Sequence, residues 1–285
     1  MLHRLRYGLL LALQYGLPHI TISRLAGAAA RWRFSPWKNL FIRLFAKAYG
    51  PDMGEAQIEN PTEYPCFSAF FTRRLKVGAR AIEGGADVLV SPSDGAVSQL
   101  GPIRQGRIFQ AKGHDYTVDA LLGDTDWAGH FENGQFATIY LAPKDYHRVH
   151  MPCSGHLRRS VYVPGRLFSV APWTAERIPG LFARNERVVG LFETDGGSRF
   201  AIVLVGAMVV GSMSTVWGGR VNRRGQLLRE DHTGVHLLQG EEMGRFDLGS
   251  TVIMLFEDST TTWKSDLRSG LTVRMGQKIA TVSDS

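Results

Sequence analysis

Three distant segments of the sequence hold four residues whose side chains are suited to nucleophilic chemistry: Asp94, His147 with His150, and Ser250. Ser250 follows Gly249. Because glycine has no Cβ, the backbone there can take the strained geometry in which a serine hydroxyl attacks the preceding carbonyl. An orienting acid and a base stand upstream in the order Asp94, His150, Ser250, which is the logic of a catalytic triad. The sequence therefore predicts that the chain cuts its own peptide bond.

Each of these residues also has an ordinary interpretation. Gly-Ser is a common turn dipeptide, and an aspartate in the turn 91–95 often makes only an Asx turn. The two histidines lie between Pro143 and Pro152. We expect a short helix there, because on a helical turn both rings would share one face. The pair could instead ligate a metal, with Cys153 as the only near further ligand, or could be purely structural. Spacing alone leaves these alternatives open.

Several longer segments give the chain a family resemblance. From about residue 60 to the C-terminus it resembles the phosphatidylserine decarboxylase proenzymes, of the bacterial and mitochondrial membrane-associated type. The segments that carry the resemblance are Ser91-Pro92-Ser93-Asp94-Gly95, Asp145-Tyr146-His147-Arg148-Val149-His150-Met151-Pro152, Tyr162-Val163-Pro164-Gly165, Leu167-Phe168-Ser169-Val170, Leu181-Phe182-Ala183-Arg184-Asn185-Glu186-Arg187, and Met243-Gly244-Arg245-Phe246 with Leu248-Gly249-Ser250-Thr251.

The resemblance implies a first stage of self-processing. His150, oriented by Asp94, would deprotonate Ser250, whose oxygen attacks the carbonyl of Gly249 and converts the amide into an ester. Elimination of that ester would leave residues 1–249 as a large chain. Ser250 would become a pyruvoyl group at the start of a small chain, residues 250–285. The cofactor is thus a covalent pyruvoyl group, and we predict neither pyridoxal phosphate nor a metal.

The resemblance also implies the second stage and the partners. The pyruvoyl ketone would form a Schiff base with phosphatidylserine and accept the electron pair released with CO2, which yields phosphatidylethanolamine. His147 is the implied proton donor, since histidine can hold or release a proton near neutral pH. The two chains of the precursor should stay associated, because residues 251–256 read as a buried strand. The resemblance further implies a homodimer.

The net charge is concentrated at the N-terminus. Residues 1–50 contain eight Lys or Arg and no Asp or Glu, so the remaining residues sum to about −1 of the total +7. Within this segment, residues 35–50 predict an amphipathic helix with Ser35 as N-cap, Pro36 in the first turn and Gly50 as the stop. Basic residues contribute roughly 1 kcal/mol each near an anionic leaflet. We predict that residues 1–50 dock on a membrane, the alternative being a core helix with a solvated basic face.

Other placements of the basic segment are less consistent with the sequence. The apolar run 7–13 is far shorter than the roughly 20 residues that a span needs, and a basic pattern that continues to residue 47 argues against a secretory signal. We predict a peripheral protein at the cytoplasmic face of the inner membrane, with no transmembrane span. Two cysteines indicate no disulfide framework, and no nucleic-acid motif accompanies the charges.

The elements that must position these residues are mostly strands. After a connector at 51–65, apolar runs rich in β-branched and aromatic residues predict strands at 88–90, 136–141, 157–163, 188–193, 200–210, 250–256 and 271–282. Residues 212–239 read as a loop-rich insertion. The predicted fold class is α+β, with N-terminal amphipathic helices followed by a mostly antiparallel, sandwich-like or barrel-like catalytic core over residues 51–285.

Two other functions use the same residues. A lipid-acting serine hydrolase would employ Asp94, His150 and Ser250 without self-cleavage, but the strand-turn-helix elbow Gly-x-Ser-x-Gly is missing around Ser250. A self-processing membrane scaffold would cut itself without turnover.

Overall fold

The computed structural model describes residues 11–12, 14–208, 213–221, 225–247, 250–257 and 261–282. Within these residues two long helices come first along the chain, and five short helices come later, one before the first strand and four between strands. Their bounds are α1 His19–Arg31, α2 Ser35–Tyr49, α3 Phe67–Phe71, α4 Val118–Leu122, α5 Thr125–Ala128, α6 Pro172–Ala175 and α7 Leu181–Arg184. Within the described residues, no helix is both long and apolar enough to cross a membrane.

Strands make up most of the remainder. They are β1 Val88–Val90, β2 Gly95–Pro102, β3 Arg107–Ala111, β4 His114–Thr117, β5 Gln135–Leu141, β6 Arg148–His150, β7 Gly155–Val163, β8 Arg187–Glu193, β9 Arg199–Val205, β10 Met213–Thr215, β11 Gly219–Arg220, β12 Leu228–Asp231, β13 His236–Leu237, β14 Glu242–Phe246, β15 Ser250–Phe256, β16 Thr261–Trp263, β17 Thr272–Val273 and β18 Lys278–Val282. The predicted α+β class, with helices first and a mainly antiparallel core after them, is confirmed.

One large antiparallel sheet forms the centre of the core. Its strand order is β12-β7-β8-β9-β15-β5-β2-β17, and β13 also pairs with β7. Alternate residues of a strand face opposite sides of a sheet. On β15, Val252 and Met254 accordingly enter one apolar cluster, whereas Ile253 and Leu255 enter another. Both faces are covered, which explains why β15 is buried along its whole length.

Smaller sheets surround this centre. One has the order β11-β10-β14-β6, a second has β1-β18-β16, and β3 pairs with β4. The region 212–239, expected as a loop-rich insertion, contributes four short strands in its described part: β10 and β11 to a smaller sheet, and β12 and β13, which pair with β7, to the large one. The single strand expected at 271–282 is wrong, because a turn divides it into β17 and β18, and Gly276 in that turn has φ +84°.

The N-terminal helices pack on the core through α3. Phe41 and Phe45 of α2 contact Phe67, with ring centroids 4.4 and 5.0 Å apart. Gly50 ends α2 in the left-handed conformation, as predicted. Ser35 does not cap it, because the helix begins at Ser35 itself and no side-chain cap bond forms.

Candidate active site

The end of β5 brings two of the predicted residues close in the sheet. Strands β2 and β15 lie on either side of β5, with Ala96 opposite Tyr140 and Ser250 opposite Leu141. Both strands therefore start where β5 ends, and Asp94 directly precedes β2. Gly95 is required for this approach: its φ is +154°, and an added Cβ would lie 2.5 Å from the carbonyl oxygen of Tyr140.

Backbone hydrogen bonds join the histidine segment to the Asp94 turn and to β14. The N–H of His150 donates to the carbonyl of Pro92 at 2.8 Å, and the N–H of Phe246 donates to the carbonyl of His147 at 3.0 Å. The segment is not the helix that we expected. His147 lies just before β6, in neither a helix nor a strand, and His150 lies on β6, because residues 148–150 pair with β14. The two rings consequently have different surroundings.

Ser250 is fully buried at the start of β15. Its Oγ has no hydrogen-bond partner among the described residues. Leaving a buried hydroxyl unpaired costs about 1–3 kcal/mol, so such an atom requires an explanation. Gly249, the other half of the predicted cleavage site, lies outside the described residues.

His147 is buried against an aromatic ring. Its centroid lies 4.1 Å from that of Phe71, and its Nδ1 lies 2.9 Å from the carbonyl oxygen of Asp145. A carbonyl can only accept, so in the neutral ring Nδ1 carries the proton and Nε2 keeps its lone pair. That Nε2 has no partner in the described part of the chain. Burial lowers the pKa of His147 to about 3, which differs from the near-neutral titration expected from the sequence.

His150 has both ring nitrogens engaged. Nδ1 lies 2.8 Å from the carbonyl oxygen of Gly240 and therefore donates to it, which leaves Nε2 as an acceptor for the hydroxyl of Tyr146 at 3.0 Å. Burial also lowers the pKa of His150. Both histidines are thus neutral at pH 7, and of the two only His147 has a free lone pair within the described structure.

Asp94 is held by a guanidinium and a backbone amide. Arg80 donates to both carboxylate oxygens, at 3.0 and 2.6 Å, and the N–H of Met275 donates at 2.9 Å. Across the residues described, no hydrogen bond joins Asp94 to His150 or His150 to Ser250. The structure places the three residues at one end of β5, and their cooperation as a triad stays a prediction.

Three neighbours of the site were not anticipated from the sequence. Arg80 forms an ion pair with Asp94, the hydroxyl of Tyr146 bonds Nε2 of His150, and the ring of Phe71 packs against that of His147. Tyr146 lies inside the motif of residues 145–152, so its place beside the histidines is visible in the sequence. Arg80 and Phe71 lie in segments without a motif, and only the folded chain brings them to the site.

Comparison with known proteins adds an independent observation. The family model described as Phosphatidylserine decarboxylase matches residues 67–281, and a second one, described as PSD, matches residues 9–50. The chain belongs to the phosphatidylserine decarboxylase family. The prediction of an enzyme of this family, made from the motifs, is confirmed.

Curated members of the family match nearly the whole chain. The chain is 56% identical over 271 residues to a protein of Pseudomonas fluorescens strain Pf-5, with 93% of this chain and 94% of that protein covered. It is 54% identical over 274 residues to a protein of Pseudomonas putida strain F1, with 94% and 95% covered. It is 53% identical over 271 residues to a protein of Ectopseudomonas mendocina, with 93% and 94% covered. Each relative is named a phosphatidylserine decarboxylase proenzyme.

Proposed function

We propose that the chain cuts itself between Gly249 and Ser250, turns Ser250 into a pyruvoyl group, and decarboxylates phosphatidylserine to phosphatidylethanolamine. The observation that carries the proposal is the buried Oγ of Ser250, which has no partner among the described residues and lies where the Asp94 turn, the histidine segment and β14 converge. The lipid-acting hydrolase needs a nucleophile exposed to a separate substrate. Ser250 is fully buried on a strand, which suits attack on its own backbone.

The cleavage step uses only groups of this chain. His150 takes the proton from the Ser250 oxygen, which attacks the carbonyl carbon of Gly249. The C–N bond breaks, nitrogen receives the proton, and an ester links the two residues. For this role, Nε2 of His150 exchanges the hydroxyl of Tyr146 for that of Ser250. Gly240 holds Nδ1 of His150, so Asp94, whose carboxylate oxygens Arg80 binds, orients the histidine through its turn, where the carbonyl of Pro92 accepts the N–H of His150.

Conversion of the ester completes processing. A base removes the α-proton of residue 250, the Cβ–O bond breaks, and Gly249 leaves as a carboxylate. The remaining dehydroalanine becomes an imine, and water replaces its nitrogen, which departs as ammonia. The small chain stays bound, because β15 is paired along its length with β5 on one side and β9 on the other.

The site suits a pyruvoyl group at residue 250. A carbonyl there would occupy the space of a hydroxyl that has no described partner, and Thr251 continues directly into β15. When formed, the group supplies a carbonyl that accepts the electron pair released as CO2 leaves.

His147 returns the proton to the carbon that loses CO2. Its ring is neutral because it is buried, so Nε2 has to gain a proton after substrate enters. The negative charge of the bound headgroup favours that protonation. His147 also holds the only free imidazole lone pair of the described site, so the same position could serve as the cleavage base. A His147 variant that is cut but inactive supports the proposed assignment. One that stays uncut would instead make His147 the cleavage base and His150 the proton donor in decarboxylation.

The surface around the site suits an anionic lipid. A cavity of about 310 Å³ lies beside the segment that leads into Ser250, and Arg31, Arg220 and Arg245 line part of it. Glu242 and Asp247 also line the cavity and pair with Arg245 at 3.5 Å and Arg220 at 3.8 Å, so three cations against two carboxylates leave a positive lining that suits the anionic headgroup. Arg31 belongs to α1, so the cavity adjoins the N-terminal helices.

Those helices provide the proposed membrane contact. Large apolar side chains stay exposed on them and on the short connector between them: Ile20, Leu25, Trp32, Phe34, Leu40 and Leu44. Together with the basic residues of the segment, they fit a peripheral protein at the anionic cytoplasmic leaflet of the inner membrane. As the family resemblance implies, two copies would form a homodimer.

An activity assay tests the proposed reaction. We expect the purified protein to release CO2 from phosphatidylserine vesicles, and hydroxylamine, which reacts with ketones, to stop the release. Ser250→Ala should be inactive, whereas Ser160→Ala, a buried serine of β7, should retain activity. Release of fatty acid or headgroup by an uncut chain would favour the hydrolase. A cut chain that releases no CO2 would favour the self-processing scaffold.

A vesicle-binding assay tests the proposed docking surface. Replacing both Leu40 and Leu44 with Ser removes exposed apolar area from α2 and should weaken sedimentation with anionic vesicles. Val77→Ser is the matched control, because Val77 is fully exposed but lies outside the helices. Equal binding of both variants would contradict docking through α2.

A further inference from the structure

Three ligating side chains meet on the surface, away from Ser250. They are His156 on β7, His236 on β13 and Asp195 in the turn between β8 and β9. We propose that these three residues bind one divalent transition-metal ion of the zinc type. The inference rests on this cluster alone and is independent of the proposed decarboxylation.

The backbone places the two histidines side by side. His236 and His156 are direct cross-strand partners, and such partners point to the same face of a sheet. Their rings are stacked with centroids 4.3 Å apart. The register of two paired strands therefore fixes both imidazoles, so the pair does not depend on one flexible loop.

The carboxylate of Asp195 completes the set. Its Oδ1 lies 2.9 Å from Nε2 of His156 and 3.8 Å from Nε2 of His236. The three ligand atoms all lie within 4.8 Å of one another. Around a tetrahedral zinc ion with bonds of about 2.1 Å, ligand atoms are about 3.4 Å apart. The observed separations bracket that value, so only small rotations of exposed side chains are needed.

The ligand types favour zinc over calcium or magnesium. Two imidazoles and one carboxylate suit zinc and its neighbours in the transition series, whereas calcium and magnesium prefer oxygen ligands alone. Glu193, opposite His156 in the β7–β8 pairing, does not add a fourth ligand, because Arg158 binds its carboxylate at 2.9 Å. The fourth position is left for water.

A metal here would join three segments that are distant in sequence. It would hold the two-residue strand β13 and the β8–β9 turn against β7. The chain offers no local motif for it, because Asp195 stands 39 residues after His156 and 41 before His236. The metal site that the sequence offers as an alternative is a different one, at His147 and His150 with Cys153.

Calorimetric titration of the full-length protein with Zn²⁺ tests this site. We expect a site in the wild type whose affinity falls at least about tenfold in Asp195→Asn, since changes even outside the ligand shell cost about 10–100-fold. Asp195 is highly exposed and Asn keeps an oxygen, so folding should be preserved. His236→Gln should show the same loss, and His114→Gln on β4 is the matched control.

Thermal unfolding gives a second readout. Zn²⁺ should raise the unfolding midpoint of the wild type and of His114→Gln, and should raise it less in Asp195→Asn and His236→Gln. Equal affinity and equal midpoint shifts in all four proteins would overturn the proposal and leave an ordinary hydrogen-bonded cluster.

Discussion

Two groups of buried polar side chains differ in how many of their hydrogen bonds are made. The side-chain amide of Asn185 donates to the carbonyls of Phe168 at 2.8 Å and Gly206 at 2.9 Å, and accepts from the N–H of Phe168 at 3.1 Å. In contrast, Oγ of Ser250 and Nε2 of His147 have no partner in the described parts of the chain.

Arg187 extends the first group. Its guanidinium donates to the carbonyls of Leu121, Ala183 and Asn185 at 2.6, 2.7 and 2.8 Å, and also to that of Ala120. Burial lowers the pKa of Arg187 to about 10, so the group remains charged at neutral pH. This network binds α4 and α7 to the start of β8.

The difference separates side chains that stabilise the fold from side chains that take part in a reaction. Both groups belong to segments that carry the family resemblance, so a motif match alone cannot distinguish them. A satisfied buried network stabilises one arrangement, whereas an unpaired buried atom costs stability and is commonly found where a reaction takes place. The satisfied bonds of Asn185 and Arg187 therefore predict a structural role, and the unpaired atoms of His147 and Ser250 support the chemical role proposed for them.

The largest expected effect is kinetic and falls on His150, the proposed base for Ser250 of the second group. His150→Gln should slow self-cleavage by about 10²–10⁴-fold, because a positioned base contributes that much. Glutamine can still bond the carbonyl of Gly240, so the free energy of unfolding should change little. The fraction of cut chain over time, followed by gel electrophoresis, measures the rate. Wild-type rates in His150→Gln would remove His150 from the mechanism.

The next effect falls on the first group. Asn185→Ala should lower the free energy of unfolding by about 2–4 kcal/mol, because it leaves buried groups of Phe168 and Gly206 unpaired. Urea unfolding of variants in a Ser250→Ala background keeps the precursor in one piece for the measurement. Folded Asn185→Ala molecules that still carry Ser250 should cleave at the normal rate. Slow cleavage without destabilisation would place Asn185 in the chemistry.

Acid should destabilise the protein through His147. Its pKa is about 3 in the folded protein and 6.5 when unperturbed, so between these values only the unfolded chain takes up the proton. The free energy of unfolding then falls as pH decreases below about 6.5, by at most about 1.4 kcal/mol per pH unit. His147→Gln, also in the Ser250→Ala background, should reduce this slope between pH 6 and 4. An unchanged slope would contradict the buried, neutral ring.

The smallest effect compares two buried threonines. Thr251 has an unpaired hydroxyl within the described structure, whereas the hydroxyl of Thr174 donates to the carbonyl of Ala171 at 2.6 Å. Thr251→Val should leave the free energy of unfolding unchanged or raise it, and Thr174→Val should lower it by about 1 kcal/mol. Urea unfolding at pH 7 measures both. Equal losses of unfolding free energy would show that the number of hydrogen bonds made does not distinguish the two groups.

The sequence predicted the elements whose signals are local. The strand predicted at 250–256 is β15, and the helix predicted at 35–50 ends at Gly50, because strand composition and a left-handed stop are properties of neighbouring residues. The helix expected at 143–152 failed for the opposite reason. Its proline and histidine spacing suits a helical turn, but residues 148–150 form a strand because they pair with β14, about 95 residues later.

The site shows the same division. Motifs were enough to identify Asp94, His147, His150 and Ser250 as candidate site residues. The structure brings their segments to one end of β5. Their present partners were not available, since Arg80 and Tyr146 engage Asp94 and His150 through contacts that only folding creates. The near-neutral titration expected of His147 failed because burial depends on distant residues such as Phe71.

The mass of the C-terminal fragment tests the central claim most directly. Intact mass spectrometry of active wild-type protein should find a small chain that begins with a pyruvoyl group at position 250 and a large chain that ends at Gly249. Treatment with hydroxylamine should shift only the small chain. An active preparation in which residues 1–285 remain one unmodified chain would contradict the account.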